Sequence, residues 1–473
     1  MKNIACLFMF VFVGFGFRLS GQTVLSATAV ELKKGKDQYV SFNAVNERNN
    51  EVFALLSDKE SVHFLRYNSA LFLRDTLTVA RPEKSYTFIL GYAFEDDNPI
   101  VFWSDDPIKK ILEVSFDVKN KKSTSRQHEL FSGDEHFVCS FTERNIFYAI
   151  TASKNAQNLT VHYYGSGRFI SKTIDLSAFE FLNANNAKVP FNDLITQNPI
   201  EKIEPKNVNG LVSGIQKIKL YVENNQVFIT NDLNHVATQM LRIDLGSFAV
   251  TEQNFPHQTS EDSSRLHNSF LKNQRLYQLA VSDQKLSLAS RSIDNTSDIK
   301  IFSSAEKDTI SFRNSPFFSA TGTQRPTVIK SLKKFFRKLS SSRTGITVYE
   351  YNSGHLLITV GGLRETNTTG SVIAGIALSV GTIATGTDAD VTDLFDSDTA
   401  ETVYFETVVD DQFNHMIAAD ELLADDFISQ FLNESEDVIV SNVFYYRGFY
   451  VLSYYDKRAK QYVLRKFEDA TMN

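Results

Sequence analysis

A short two-strand phrase recurs seven times along this chain. An apolar-aromatic run such as Glu51-Val52-Phe53-Ala54-Leu55-Leu56 meets a polar turn, and a second alternating run, 62–67, follows. The phrase returns around Val101-Phe102-Trp103, Ile146-Phe147-Tyr148-Ala149, Val227-Phe228-Ile229-Thr230, Leu276-Tyr277-Gln278-Leu279, Leu356-Leu357-Ile358-Thr359 and Phe449-Tyr450-Val451-Leu452. A further apolar run precedes each pair, so units begin near 38, 85, 135, 214, 265, 345 and 438, and three of the six gaps are 47 to 51 residues. That length suits four short strands joined by turns. Alternation at period two, with 39 Phe and 18 Tyr, marks pleated, half-buried surfaces. Repeated β units of this length stack into an array, because one small sheet cannot bury its own faces.

Four-stranded units repeating this way resemble a β-propeller, whose blades pack face to face around a central channel. The resemblance rests on periodicity over nearly all of 23–473, without a WD, kelch or Asp-box signature, so it implies a fold and no activity. The chain also resembles uncharacterised secreted bacterial propeller-like proteins. The expectation is an all-β, seven-bladed β-propeller forming a single domain over 23–473, with two inserted amphipathic helices. The last unit runs out after its third strand, near Phe467, while the segment 23–30 has strand character and no unit of its own. An N-terminal strand completing the last blade would close the ring. A pair of β-sandwiches is the competing arrangement.

The N-terminus reads as an export signal over 1–22. Lys2 precedes the apolar stretch 4–17, and Ser20-Gly21-Gln22 supplies the small and polar exit. Fourteen apolar residues fall short of the roughly 20 a spanning helix needs. The expected location is periplasmic, outer-surface or secreted. Removing Lys2 and Arg18 leaves 47 basic against 56 acidic residues, a net of −9. Phosphate backbones demand basic patches, so nucleic acid is excluded as a partner. Cys139 is then the only cysteine; it lies in the alternating run Phe137-Val138-Cys139-Ser140-Phe141 and reads as a buried small apolar residue.

Four insertions interrupt the period, at 177–213, 304–343, 363–400 and 418–436. The first is rich in Asn and Pro and reads as a loop crossing one face. In the second, Val328, Ile329, Leu332, Phe335, Phe336 and Leu339 share one face of an expected helix over 326–339, and Lys330, Lys333, Lys334, Arg337 and Lys338 lie mostly on the other. Such a helix docks its apolar stripe on a sheet edge, or touches an anionic membrane surface. The third holds an apolar, Gly-spaced run, 370–386, which offers a surface to a protein or glycan partner. Asp388, Asp390, Asp393, Asp396 and Asp398 follow it, but Asp393 stands where a calcium loop needs its Gly. The fourth carries an acidic helix over 420–432.

No residues form a catalytic or metal motif, and no catalytic, cofactor-binding or metal-binding residue is assigned. The nine histidines are scattered, without a His-x-His or His-Glu-x-x-His pair. Glu95-Asp96-Asp97 and Asp105-Asp106 flank one strand at opposite ends, as turn acids do. Trp103 sits in a strand and reads as core. The leading expectation is a non-enzymatic binding or scaffold protein of the cell envelope, without a cofactor. The alternative is a carbohydrate-active hydrolase or lyase with loop carboxylates at the channel mouth, for which paired carboxylates would be the sign.

Overall fold

The computed structural model describes residues 22–33, 39–106, 108–257, 266–282, 284–305, 309–321, 326–365, 400–417 and 422–470. Residues 1–21 of the leader expected over 1–22, the apolar run 370–386 and the acids of 388–398 lie outside them. Among the described residues the fold is mostly β and propeller-like, with seven sheets of four or five strands and one two-stranded hairpin. Sheet 1 runs Val40–Asn46, Glu51–Ser57, Ser61–Tyr67, Leu73–Ala80, each strand antiparallel to the one before. Sheets 2, 3 and 5 repeat that order from inner strands Tyr86–Glu95, Glu135–Glu143 and Leu266–Lys272. Burial falls from second strand to fourth. In sheet 2, Asn98–Asp105 is almost wholly buried while Lys122–His128 is almost wholly exposed, as expected of faces stacked at one edge and solvated at the other.

Sheet 7 is completed from the other end of the chain. Its strands Val438–Tyr446, Phe449–Asp456 and Gln461–Phe467 are joined by Gln22–Ala29, which pairs antiparallel with the last of them from Gln22↔Phe467 to Ala29↔Gln461. Gln22, assigned to the leader on sequence, is thus the first residue of this strand. Sheets 7 and 1 are also sewn together directly. Asn43 donates to Ser453 Oγ (2.6 Å) and Asn442 Oδ1 (2.9 Å), and the Tyr446 hydroxyl donates to Asn50 O and Ser69 O (both 2.8 Å). Apolar clusters bridge sheets 7 and 1, 1 and 2, 2 and 3, 3 and 4, 4 to 6, and 6 and 7.

Two insertions do more than decorate the sheets. Within 177–213 stand a short hairpin (Phe181–Leu182 with Lys188–Val189), helix α1 (Phe191–Gln197), the strand Glu201–Ile203 and helix α2 (Leu211–Gly214). The expected loop across one face is therefore incorrect. Glu201–Ile203 pairs parallel with Ile218–Glu223, the first strand of sheet 4, and becomes that sheet's innermost strand. The 304–343 insertion supplies the outer edge of sheet 6. Phe317–Thr321 pairs with Ala400–Val409, and Thr327–Ile329 pairs outside it. The helix expected over 326–339 accordingly begins only at Leu332, as α3 (Leu332–Ser340), because Val328 and Ile329 are used in a strand. The acidic helix is α4 (Ala424–Glu434).

Helix α2 touches sheet 6 through two facing glycines. A Cβ on Gly345 would sit 2.6 Å from Ile215 N, and one on Gly214 would sit 2.8 Å from Ile346 O. Backbone atoms cannot yield as a flexible side chain would. Gly345→Ala is therefore expected to cost about 1–3 kcal/mol in urea unfolding, whereas Gly133→Ala, with no atom within 4 Å of its Cβ, is near neutral. Equal stability of the two variants would contradict this packing.

Candidate carboxylate site and buried polar seam

In six of the seven sheets the first long strand ends at or beside a Glu or Lys, Glu95 in sheet 2 among them. Glu143, Glu223 and Glu350 are the last residues of Glu135–Glu143, Ile218–Glu223 and Arg343–Glu350, Glu47 directly follows Val40–Asn46, and Lys272 ends Leu266–Lys272. Strands of equal sense in stacked sheets deliver these ends to one side. Glu47 is held there by its N–H to Asn145 Oδ1 (3.0 Å), and buried Asn145 also donates to Asn46 Oδ1 (2.8 Å). Glu143 Oε1 accepts from Asn225 N–H at 3.0 Å, which links sheets 3 and 4. Lys272 lies 3.8 Å from Glu350 and donates to Pro205 O at 2.6 Å. The turn after Glu201–Ile203 enters the same space. Lys206 stands 5.6 Å over the Tyr445 ring, and its carbonyl accepts from Tyr450 OH at 2.5 Å.

The carboxylates feel one another. Burial raises the Glu47 carboxyl above its ordinary value; Glu143 raises it further, and Lys206 pulls it down. Burial likewise raises Glu223; Lys272 opposes this, and Glu350 and Glu143 add to it. Like charges brought together out of bulk water favour one remaining protonated, which separates an acid from a base in a single site. Glu143 acts on both raised carboxyls and so lies electrostatically between them.

A second constellation was not legible as a site. Lys219 and Asp232 are fully buried, 3.7 Å apart, and Lys219 Nζ donates to Asn268 Oδ1 at 2.5 Å. Asp232 accepts from Ser269 Oγ (2.7 Å), Ser269 N–H (2.9 Å) and Thr238 Oγ1 (2.6 Å). Burial lowers Lys219 to about 8 despite the Asp232 charge. For Asp232, burial acts upward, but Lys219, His257 and Thr238 hold it below the usual carboxylate range. Three of the scattered histidines meet here, with the His257 and His267 rings 4.1 Å apart and His235 and His267 5.4 Å apart. Glu201, on the inserted strand, extends the network through Ser213 Oγ at 2.8 Å. The hint in sequence was Lys217-Ile218-Lys219-Leu220-Tyr221, where lysines alternate with core residues. Among the described residues no three His, Cys, Asp or Glu side chains are placed to hold a metal ion.

Of the acids singled out on sequence, Glu95 ends Tyr86–Glu95, the first strand of sheet 2, as Glu143 ends that of sheet 3. Asp96 and Asp97 line a cleft of about 240 Å³ with Arg66, Asp117 and Lys119, out at the turns of sheets 1 and 2. The carboxylate of Asp105 accepts from Lys109 and Lys110 N–H, a turn role, at the far end of its strand. Trp103 is wholly buried in the core shared by sheets 1 and 2. Cys139 is buried and its thiol is pushed up to about 12 by burial, so no thiolate nucleophile forms there near neutral pH.

No family model and no curated protein matches the chain. Solved structures that do match include a variant of Synechocystis apocarotenoid oxygenase (9% identity, 57% of this chain and 61% of that one, TM-score 0.29). The cobalt-substituted Synechocystis enzyme also matches (9%, 58% and 62%, TM-score 0.28), as does a chimera of the oxygenase with RPE65 (9%, 57% and 63%, TM-score 0.30). The chain spans about three fifths of the length of these structures. The expectation of a non-enzymatic scaffold conflicts with these matches, which are enzymes, and is withdrawn. At such TM-scores they bring no substrate, metal or mechanism to this chain.

The seam makes stability depend on pH. Burial lowers the His267 imidazole from 6.5 to about 3, with His257 and Lys217 acting in the same direction and Asp232 opposing. Between those two values the unfolded chain binds a proton that the folded chain refuses, so stability is present above pH 6.5 and is lost as pH falls toward about 3. Urea unfolding is expected to show lower stability at pH 5 than at pH 7.5, with a shallower dependence in His267→Gln. An unchanged slope in that variant would contradict the assignment.

Proposed function

We propose that the seven sheets are blades of one closed ring over 23–473, and that the carboxylate end of this ring is the active site of an acid–base enzyme cleaving a glycosidic bond, a hydrolase or a lyase. The observation that carries the reading is the delivery of Glu47, Glu143, Glu223 and Glu350 from four different sheets to one end, with two of them held above the ordinary carboxylate range. A raised carboxyl can donate a proton to a leaving oxygen, and a neighbouring carboxylate can activate water, attack the sugar or abstract a proton.

Glu223 is the proposed acid, and Glu143, oriented by Asn225 N–H, is its partner. Tyr445 offers an apolar face with a polar tip to a sugar, and Lys206 and Lys272 carry compensating charge. Closure of the ring gives the fixed geometry such a pair requires, since each carboxylate sits where a strand ends rather than on a long loop. The apolar stretch 4–17 supports export, which would bring such an enzyme to extracellular glycans.

A panel of neutral and acidic polysaccharides, read by reducing ends and by absorbance of unsaturated products, tests this. Glu223→Gln and Glu143→Gln are each expected to lower kcat about 10²- to 10⁴-fold with unchanged circular dichroism. Glu350→Gln is expected to stay active. It removes a charge that raises Glu223, so the alkaline limb of its rate profile should move to lower pH. Full activity in both Gln variants of the pair would remove the carboxylates from the chemistry.

A further inference from the structure

The segment between sheets 3 and 4 is held from every side. It pairs with sheet 4 through Glu201, Lys202 and Ile203 and then turns over 204–207, where Glu204 O accepts from Asn207 N–H (3.2 Å) and Asn209 Nδ2 (2.9 Å). From there it runs back to α2, which lies against Gly345 and Gly361 of sheet 6. Lys272 of sheet 5 donates to Pro205 O at 2.6 Å, and the Tyr450 hydroxyl of sheet 7 donates to Lys206 O at 2.5 Å. Val208 packs in the cluster that joins sheets 6 and 7. The other three sheets feel its charges. Lys206 acts on Glu47 of sheet 1, and Glu204 acts on Tyr92 of sheet 2 and Cys139 of sheet 3. A segment this short reaches all seven sheets only by standing on the axis of the ring proposed above.

We infer that the 204–207 turn makes the carboxylate end a blind pocket, which takes the terminal sugars of a glycan chain and not its interior. This rests on the acid–base reading of the same carboxylates and adds which bond is cut. The segment fills the channel behind the mouth, and the turn stands as a post within the mouth, fixed to Lys272 and Tyr450. The room that remains lies toward the sheets carrying Glu47, Glu143 and Glu223. An interior sugar has a neighbour on both sides and needs a groove with two exits, whereas a terminal sugar needs one. The bond cut is the one joining the end of the chain to the rest. In hydrolysis this C–O bond breaks, its oxygen leaves with the Glu223 proton, and water deprotonated by Glu143 gives its hydroxyl to the sugar carbon. In elimination Glu143 takes a proton from the sugar carbon instead, the oxygen again leaves with the Glu223 proton, and a carbon–carbon double bond forms.

Product size tests this with the same panel of polysaccharides. Wild type is expected to release mono- or disaccharides from the first turnovers, with solution viscosity nearly constant as new ends accumulate. The double variant Pro205→Gly, Lys206→Gly shortens and loosens the post, and Tyr450→Phe frees the Lys206 carbonyl. Both are expected to release longer fragments and to steepen the viscosity loss per bond cut severalfold, with thermal melts confirming that each folds. Mixed-length products and a rapid fall in viscosity from wild type would overturn the blind pocket and leave the acid–base reading standing. The wild-type product pattern from both loosened variants would remove the turn from the pocket wall. Cleavage of no glycan in the panel would take down the acid–base reading and this inference together.

Discussion

The pairing of Gln22–Ala29 with Gln461–Phe467 is the contact on which the other sheets depend. A stack of small sheets has two terminal faces and two free edges, and both are costly: apolar faces in water, and unpaired strands that recruit other chains. Completing sheet 7 with the N-terminal strand pairs the open edge of Gln461–Phe467. Seating that sheet on sheet 1 through Asn43 and Tyr446 covers the facing surfaces of both. With one cysteine in the described chain, and that one unpaired, this geometric closure does the work a disulfide would otherwise do.

The stacking of the sheets also brings strand ends together. Strands of one sense, each starting near one end and stopping near the other, gather whatever residues occupy their last positions. In this chain those residues are mostly glutamates, with one lysine among them. The turns hold two of them in place, Asn145 through the Glu47 N–H and Asn225 through the Glu143 carboxylate. The buried Lys219–Asp232 seam is a different use of polarity. It is satisfied by Asn268, Ser269 and Thr238 and fixes how sheets 4 and 5 meet.

Much of the scaffold was legible because strand alternation and aromatic runs are local signals. The seven phrases correspond to the second and third strands of the seven sheets, and even the orphan strand at the start announced its partner by the missing strand at the end. The insertions were less legible. Val328 and Ile329 satisfied helical spacing and lie in a strand, since Phe317–Thr321 offered an edge that only the folded sheet provides. Residues 201–203 carried no strand signal strong enough to stand alone, and they pair because Ile218–Glu223 already presents an open inner edge.

By itself the sequence determined the kind of sheet, the number of repeated phrases and the place where the chain closes on itself, because these follow from side-chain period and from short-range turns. Only the tertiary structure decided that Glu47, Glu143, Glu223 and Glu350 share an end, that His235, His257 and His267 meet, and that a segment between sheets 3 and 4 becomes an innermost strand. Residues separated by dozens to hundreds of positions acquire a common environment through the stacking of sheets. Nothing in the local pattern around each one records which others will stand beside it.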